Sequence, residues 1–172
     1  MAELGRPSFQ EIYMRLAFLL AERSTCGRLK VGTVITSTDF RKVLAVGYNG
    51  NASGLPNKCD RNEAGNCGCL HSEENAVINC DSPRFLEKFA FVTHMPCTFC
   101  AKRLINLGEV KKVFYALDYR SRDSEALFQT VGIPVEKLPM SERNFTSLVL
   151  GASPLEHPGP VGAQTHASQP SR

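Results

Sequence analysis

His71-Ser72-Glu73-Glu74-Asn75-Ala76, followed after a spacer by Pro96-Cys97-Thr98-Phe99-Cys100-Ala101, is the part of the chain whose reading decides the fold. One imidazole and two thiols form the donor set of a zinc site that keeps one coordination position open. A metal held in this way lowers the pKa of a water toward neutrality and makes it a nucleophile. His71 and Glu73 stand two apart at the expected start of one helix. Cys97 and Cys100 stand three apart in the expected first turn of another, with Pro96 at its boundary. The positive ends of two helix dipoles then face one point, which helps to hold thiolates. His71, Cys97 and Cys100 are the candidate ligands, and Glu73, which must stay off the metal, is the candidate proton carrier. A structural zinc completed by a fourth side chain, His94 or Cys69, is the competing reading; the His-x-Glu element favours the open site.

Outward from this core, Pro7-Ser8-Phe9-Gln10-Glu11 reads as a helix start, with Ser8 as N-cap and Glu11 closing a capping box. Phe9, Ile12, Tyr13, Leu16, Leu19 and Leu20 follow a spacing of three and four that predicts one buried face. Residues 31–35 and 43–46 are β-branched apolar runs and predict two strands joined by a short hairpin loop. From 47 to 70 the chain is rich in Asn, Gly and Cys without an apolar period. A loop of that length is functional, or is held by something other than a core. Helices are expected over 74–80, 98–107 (ended by Gly108) and 125–131, and strands over 89–93, 110–117 and, weakly, 133–138. Alternation of strand and helix after Leu70 predicts an α/β fold with parallel strands, preceded by an antiparallel hairpin. From Gly151 the chain lacks periodicity and is expected to be a disordered tail, 151–172, which leaves one domain at 8–150.

The 172 residues suit a single domain with one core. A net charge of +3, scattered Lys and Arg, and the absence of Trp argue against a nucleic-acid groove. The apolar run at 16–20 is short and flanked by Arg15 and Glu22-Arg23, so no membrane span is expected. Glu3 and Glu11 interrupt any basic leader, and a cytoplasmic location follows as the expectation. Seven cysteines in a reducing compartment point to metal ligation or catalysis before disulfides. Three of them, Cys59, Cys67 and Cys69, fall in the coreless loop, and with Cys26 they would make a closed Cys₄ zinc site that pins it. The alternative is that some are free thiols and that Cys69, so close to His71, faces the core. Cys80 reads as a small apolar packing residue.

H-x-E…P-C-x-x-C is the signature of zinc nucleobase deaminases. Together with Arg28-Leu29-Lys30-Val31-Gly32-Thr33-Val34-Ile35, Gly47-Tyr48-Asn49-Gly50 and Gly54-Leu55-Pro56, the two motifs make residues 8–138 resemble the deoxycytidylate (dCMP) deaminases of the zinc-dependent cytidine deaminase superfamily. That resemblance implies a three-layer α/β/α cytidine deaminase-like fold with a mixed five-stranded sheet. It also implies hydrolysis of dCMP to dUMP and ammonia, a homo-oligomer (often a hexamer), control by dCTP with Mg²⁺ and by dTTP, and a second, structural zinc in some members. By position, Asn49 resembles the residue that hydrogen-bonds sugar or ring, and Tyr119 the aromatic that packs on the base. Arg28, Lys30, Lys58, Arg120 and Arg122 are candidates for the 5′-phosphate. Ser72 stands where the family usually has alanine. His94 is unusual before Pro96, with contact to substrate, ligation and packing as its open roles. The alternatives are a deaminase of another cytosine or guanine compound or of single-stranded nucleic acid, and a non-catalytic nucleotide-binding zinc module. Glu73 separates the enzyme readings from the last, because a binding module has no use for an unliganded glutamate beside an open metal position.

Overall fold

A computed structural model describes residues 6–63 and 66–139. The chain runs α1 (Phe9–Ala21), β1 (Gly32–Ser37), β2 (Val43–Tyr48), α2 (Ser72–Ile78), β3 (Lys88–His94), α3 (Thr98–Leu107), β4 (Val110–Leu117), α4 (Asp123–Thr130) and β5 (Val135–Lys137). The strands form one sheet in the order β2-β1-β3-β4-β5. β1 is antiparallel to both β2 and β3, while β3, β4 and β5 are parallel. This is the expected mixed five-stranded sheet with its hairpin first. The expected tail at 151–172, and the end of the 8–150 domain, lie outside the described residues.

Local chemistry explains the boundaries. Ser8 Oγ accepts from Glu11 N at 3.2 Å and Glu11 Oε2 accepts from Ser8 N at 2.7 Å, so α1 opens with the full capping box. Phe40 takes φ 60° in the turn between β1 and β2, and Gly108, at φ 87°, ends α3 as its C-cap. Strand alternation then divides the interior in two. Val34, Phe91 and Phe114 point to one face, where they pack with Tyr13, Met14 and Ala17 of α1. Ile35, Ala90 and Val113 point to the other, where they meet Ala76, Ala101, Leu104 and Phe128 of α2, α3 and α4. The result is three layers, α/β/α.

The face of α1 departs from the expected one. Tyr13 is buried as expected, but Phe9, Ile12 and Leu19 are exposed, at 52%, 42% and 41%. Met14, Ala17 and Ala21 are the buried residues beside Tyr13. The reason is a close approach: a Cβ on Gly32 would lie 1.9 Å from Ala17 O and 2.8 Å from Ala21 N. Where a helix presses this tightly on a strand, only small side chains fit beneath it, and the larger ones flank the contact.

The opposite layer is seated in the same way. A Cβ on Gly47 would lie 2.2 Å from Ser72 O and 2.5 Å from Ala76 N, so β2 and the first turn of α2 touch backbone to backbone. Lys88 opens β3 fully buried, its ammonium donating to the carbonyls of Pro83 at 2.9 Å and Leu86 at 2.5 Å and, at 3.4 Å, to those of Arg84 and Gly108. Gly47→Ala is expected to cost about 1–3 kcal/mol by overpacking, read as a lower urea midpoint. Gly27→Ala, whose Cβ meets nothing within 4 Å, should leave that midpoint near wild type.

Candidate active site

The register of the sheet brings the end of β2, the start of β1 and the ends of parallel β3 and β4 to one edge. The crevice outside the carboxyl ends of parallel strands is where α/β sheets hold ligands. Here it is a cavity of about 340 Å³ lined by Asn49, His71, Glu73, His94, Cys97 and Tyr119, among others. His71, Glu73 and Cys97 from the motifs, and Asn49 and Tyr119 from the family resemblance, therefore face one cavity.

Two helix starts deliver the motif residues. His71 is the N-cap of α2 and Cys97 the N-cap of α3, and neither side chain caps its own helix. They turn to each other instead. His71 Nδ1 lies 3.6 Å from Cys97 Sγ and 3.3 Å from Cys100 Sγ. A zinc bonded at about 2.3 Å to sulfur and about 2.0 Å to nitrogen sets tetrahedral donors about 3.5 Å (S–N) and about 3.8 Å (S–S) apart. The three side chains fit that ion without rearrangement, and all their donor atoms lie within 4.8 Å of one another. His94 and Cys69, the two possible fourth ligands, do not join them among the described residues.

Electrostatics agrees with the geometry. Cys97 is pulled down to about 4, first by its hydrogen bond with Cys100 and against burial, with His71 adding to the effect. Cys100 is pushed the other way by that same contact and by burial. The Cys97 contact raises His71. Thiols and an imidazole packed so closely compete for protons, and a divalent cation relieves that competition. Glu73, only 4% exposed, is raised above the ordinary carboxylate value by burial, opposed by its own backbone N–H and by His71.

The second cysteine group closes as well. Cys26 Sγ lies 3.7 Å from Cys59 and 3.8 Å from Cys67, and Cys59 lies 3.8 Å from Cys69. These separations match the sulfur edges of a zinc tetrahedron, so Cys69 belongs to this group and not to the core. Burial pushes Cys69 up; in Cys26 burial is outweighed by the backbone N–H groups of Leu29 and Arg28, which bring it to about 7. The loop that carries three of the four thiols is stapled at its ends, where Gly50 and Leu70 exchange two backbone hydrogen bonds at 3.1 and 2.8 Å. Arg28 holds the middle of the loop by donating to the carbonyls of Asn62 and Glu63. Cys26, Cys67 and Cys69 also line the cavity, so this group forms part of its wall.

The remaining candidates separate. Asn49 is buried in the wall, and its amide serves the chain itself. Oδ1 accepts from Val31 N and Nδ2 donates to Leu29 O, both at 2.7 Å. One N–H and one lone pair of that amide remain. Tyr119 lines the cavity with the Arg120 guanidinium 5.8 Å over its ring. Of the five cations considered for a phosphate, only Arg28 and Arg120 line the cavity, and Arg122 pairs with Glu125. Thr93 Oγ1 accepts from Gly32 N at 3.2 Å and lies within hydrogen-bond distance of His94 Nδ1, at 3.0 Å. Burial lowers the pKa of His94, favouring the neutral ring. Sequence reasoning missed Thr33, whose Oγ1 lies 2.8 Å from Ser72 Oγ. No local signal marked it, since β1 holds a second buried threonine, Thr36, whose hydroxyl finds no partner among the described residues.

Residues 7–117 match the family model described as the cytidine and deoxycytidylate deaminase zinc-binding region. The chain is 35% identical over 152 residues to ComE operon protein 2 of Bacillus subtilis, covering 81% of this chain and 76% of that protein. It is 32% identical over 154 residues to the deoxycytidylate deaminase of Saccharomyces cerevisiae, 83% of this chain but only 48% of that longer protein. Among solved structures, the dCMP deaminase of cyanophage S-TIM5 in complex with dCMP and dUMP superposes with a TM-score of 0.69 at 35% identity, over 77% of this chain and 98% of the phage chain.

Asn49→Ala would strip partners from Val31 N–H and Leu29 C=O at the rim of the cavity. The expected cost is about 1–3 kcal/mol of stability, measured by thermal unfolding; Asn49→Asp, which keeps the acceptor for Val31, should lose less.

Proposed function

This chain belongs to the cytidine and deoxycytidylate deaminase family, and from that premise we propose that it hydrolyses dCMP to dUMP and ammonia. The observation that carries the proposal is Glu73, a buried carboxylate beside a three-donor zinc set on the wall of a nucleotide-sized cavity. The names of the yeast and phage relatives, and the nucleotides in the phage complex, support dCMP as the substrate.

In this reading His71, Cys97 and Cys100 hold the catalytic zinc, and Cys26, Cys59, Cys67 and Cys69 hold a second, structural one. When bound, the catalytic ion supplies Lewis acidity that brings the pKa of a water near neutrality. Glu73 takes a proton from the attacking water and hands it to the ring nitrogen beside the reacting carbon, then moves the remaining proton of the added hydroxyl to the amino group, which leaves as ammonia as the carbonyl forms. Its burial suits that task, because a carboxylate that holds a proton more tightly than usual can also return it. Tyr119 offers a face for the pyrimidine, the free N–H of Asn49 offers a donor to its oxygens, and His94 adds a neutral polar edge to the same wall. Arg28 and Arg120 are the cations within reach of a phosphate.

The same proposal includes a homo-oligomer, supported by exposed Ile78, Phe85 and Phe99 on and between α2 and α3. Regulation by dCTP with Mg²⁺ and by dTTP has the family resemblance as its support. A cytoplasmic location suits seven reduced cysteines; among the described residues no helix is long and apolar enough to cross a membrane.

A panel of dCMP, deoxycytidine, CMP, cytosine, guanine and single-stranded DNA, read by ammonia release, should show dCMP preferred. Equal turnover of deoxycytidine would remove the phosphate from the recognition scheme. Glu73→Ala should lose about 10²–10⁴-fold in rate with zinc retained; full activity in that variant would sink the mechanism. Metal analysis should find two zinc ions per chain. Cys59→Ser should remove one and lower thermal stability, whereas Cys97→Ser should remove the other and abolish deamination.

A further inference from the structure

Ser72 stands between a candidate ligand and the candidate proton carrier, and its hydroxyl is not idle. Ser72 Oγ donates to Glu73 Oε2 at 2.9 Å and lies 2.8 Å from Thr33 Oγ1. Ser72 and Thr33 are completely buried and Glu73 nearly so. A hydroxyl has one proton. Ser72 gives its proton to the carboxylate, so the proton between the two hydroxyls must come from Thr33. The chain of donors therefore has a single direction, from Thr33 to Ser72 to Glu73.

We propose that Thr33 and Ser72 form a positioning relay that pins Glu73 Oε2, leaving Oε1 as the oxygen that exchanges protons with water and substrate. The proposal rests on the reading of Glu73 as proton carrier and adds how that carboxylate is aimed. A glutamate ends in a broad torsion with no strong preference of its own. One charge-assisted hydrogen bond to a single oxygen removes that freedom. The anchor of the relay is rigid. Thr33 sits in β1 between Gly47 of β2 and Val92 of β3. The Ser72 backbone cannot retreat either, because β2 meets it at Gly47 with no room for a Cβ. A hydroxyl on a strand paired on both sides thereby sets the orientation of the Glu73 side chain beside it. Neither hydroxyl touches substrate in this scheme; both act through Glu73.

Steady-state kinetics of the zinc-loaded full chain on dCMP test the relay, with zinc content and thermal unfolding measured on every variant. Ser72→Ala should lower kcat about 10-fold, the value of one hydrogen bond to a charged group, with KM within about two-fold and zinc retained. Thr33→Val, which keeps shape and deletes the hydroxyl, should lower kcat about three-fold, and Thr33→Ser should restore it. The double variant Ser72→Ala/Thr33→Val should be no slower than Ser72→Ala alone, because Thr33 acts only through Ser72. Full kcat in Ser72→Ala, a loss confined to KM, or multiplicative losses in the double variant would each overturn the relay. If Ser72→Ala loses zinc or unfolds, the contrast between Thr33→Val and Thr33→Ser decides alone: equal rates overturn the relay and rescue by serine supports it. Glu73→Gln run in parallel separates the two levels. An inactive Glu73→Gln with a fully active Ser72→Ala overturns the relay and leaves the function standing, whereas an active Glu73→Gln overturns both.

Discussion

Two helices can begin at one point only if the sheet beneath them permits it, and the contact between Gly47 and the first turn of α2 is what permits it. The absence of a side chain at Gly47 lowers α2 onto β2 until backbone meets backbone. His71 and Glu73 then hang over the sheet edge at the height of Cys97 and Cys100, which Pro96 and the end of β3 deliver to the start of α3. The donor distances that suit zinc, the burial of Glu73 and the reach of Ser72 to Thr33 all descend from that seating. A shift of an ångström would take the His71 imidazole out of the donor spacing that a shared zinc requires.

Protons in such a place are shared by several groups. Cys97 and Cys100 are displaced in opposite directions by the hydrogen bond they share, whereas backbone N–H groups lower Cys26 and burial raises Cys69. The chain places two groups of this kind side by side, each with donors close enough together for one metal ion. The two groups share a cavity wall, with Cys26, Cys67 and Cys69 facing the same space as Glu73.

What was legible in the sequence was local. Ser8 and Glu11 announced α1, Gly108 ended α3 where expected, and the run at 110–117 coincided with β4, because caps, turns and strand composition act within a few residues. His-x-Glu and Pro-Cys-x-x-Cys announced the site for the same reason, since each pair lies within one turn of helix. What failed to show depended on distance along the chain. The buried face of α1 was misjudged because Gly32, eleven residues beyond the helix in sequence but in contact with Ala17 in space, rewards small side chains over large ones. The amide of Asn49 was expected to face a ligand, yet the segment at 29–31 claims most of it. Thr33 was invisible as a site residue because its partner, Ser72, comes from another element.

The staple between Gly50 and Leu70 has a consequence of another kind. A segment that leaves and re-enters the framework at a single pair of hydrogen bonds is topologically a cassette. Lengthening such an excursion costs little, since loop-closure entropy grows only logarithmically, and His71 follows directly on the re-entry point. The stretches of 51–69 between its three cysteines can thus change in length while those thiols, and the chemistry next to them, keep their register. The rim of the cavity is the part of this architecture most open to innovation.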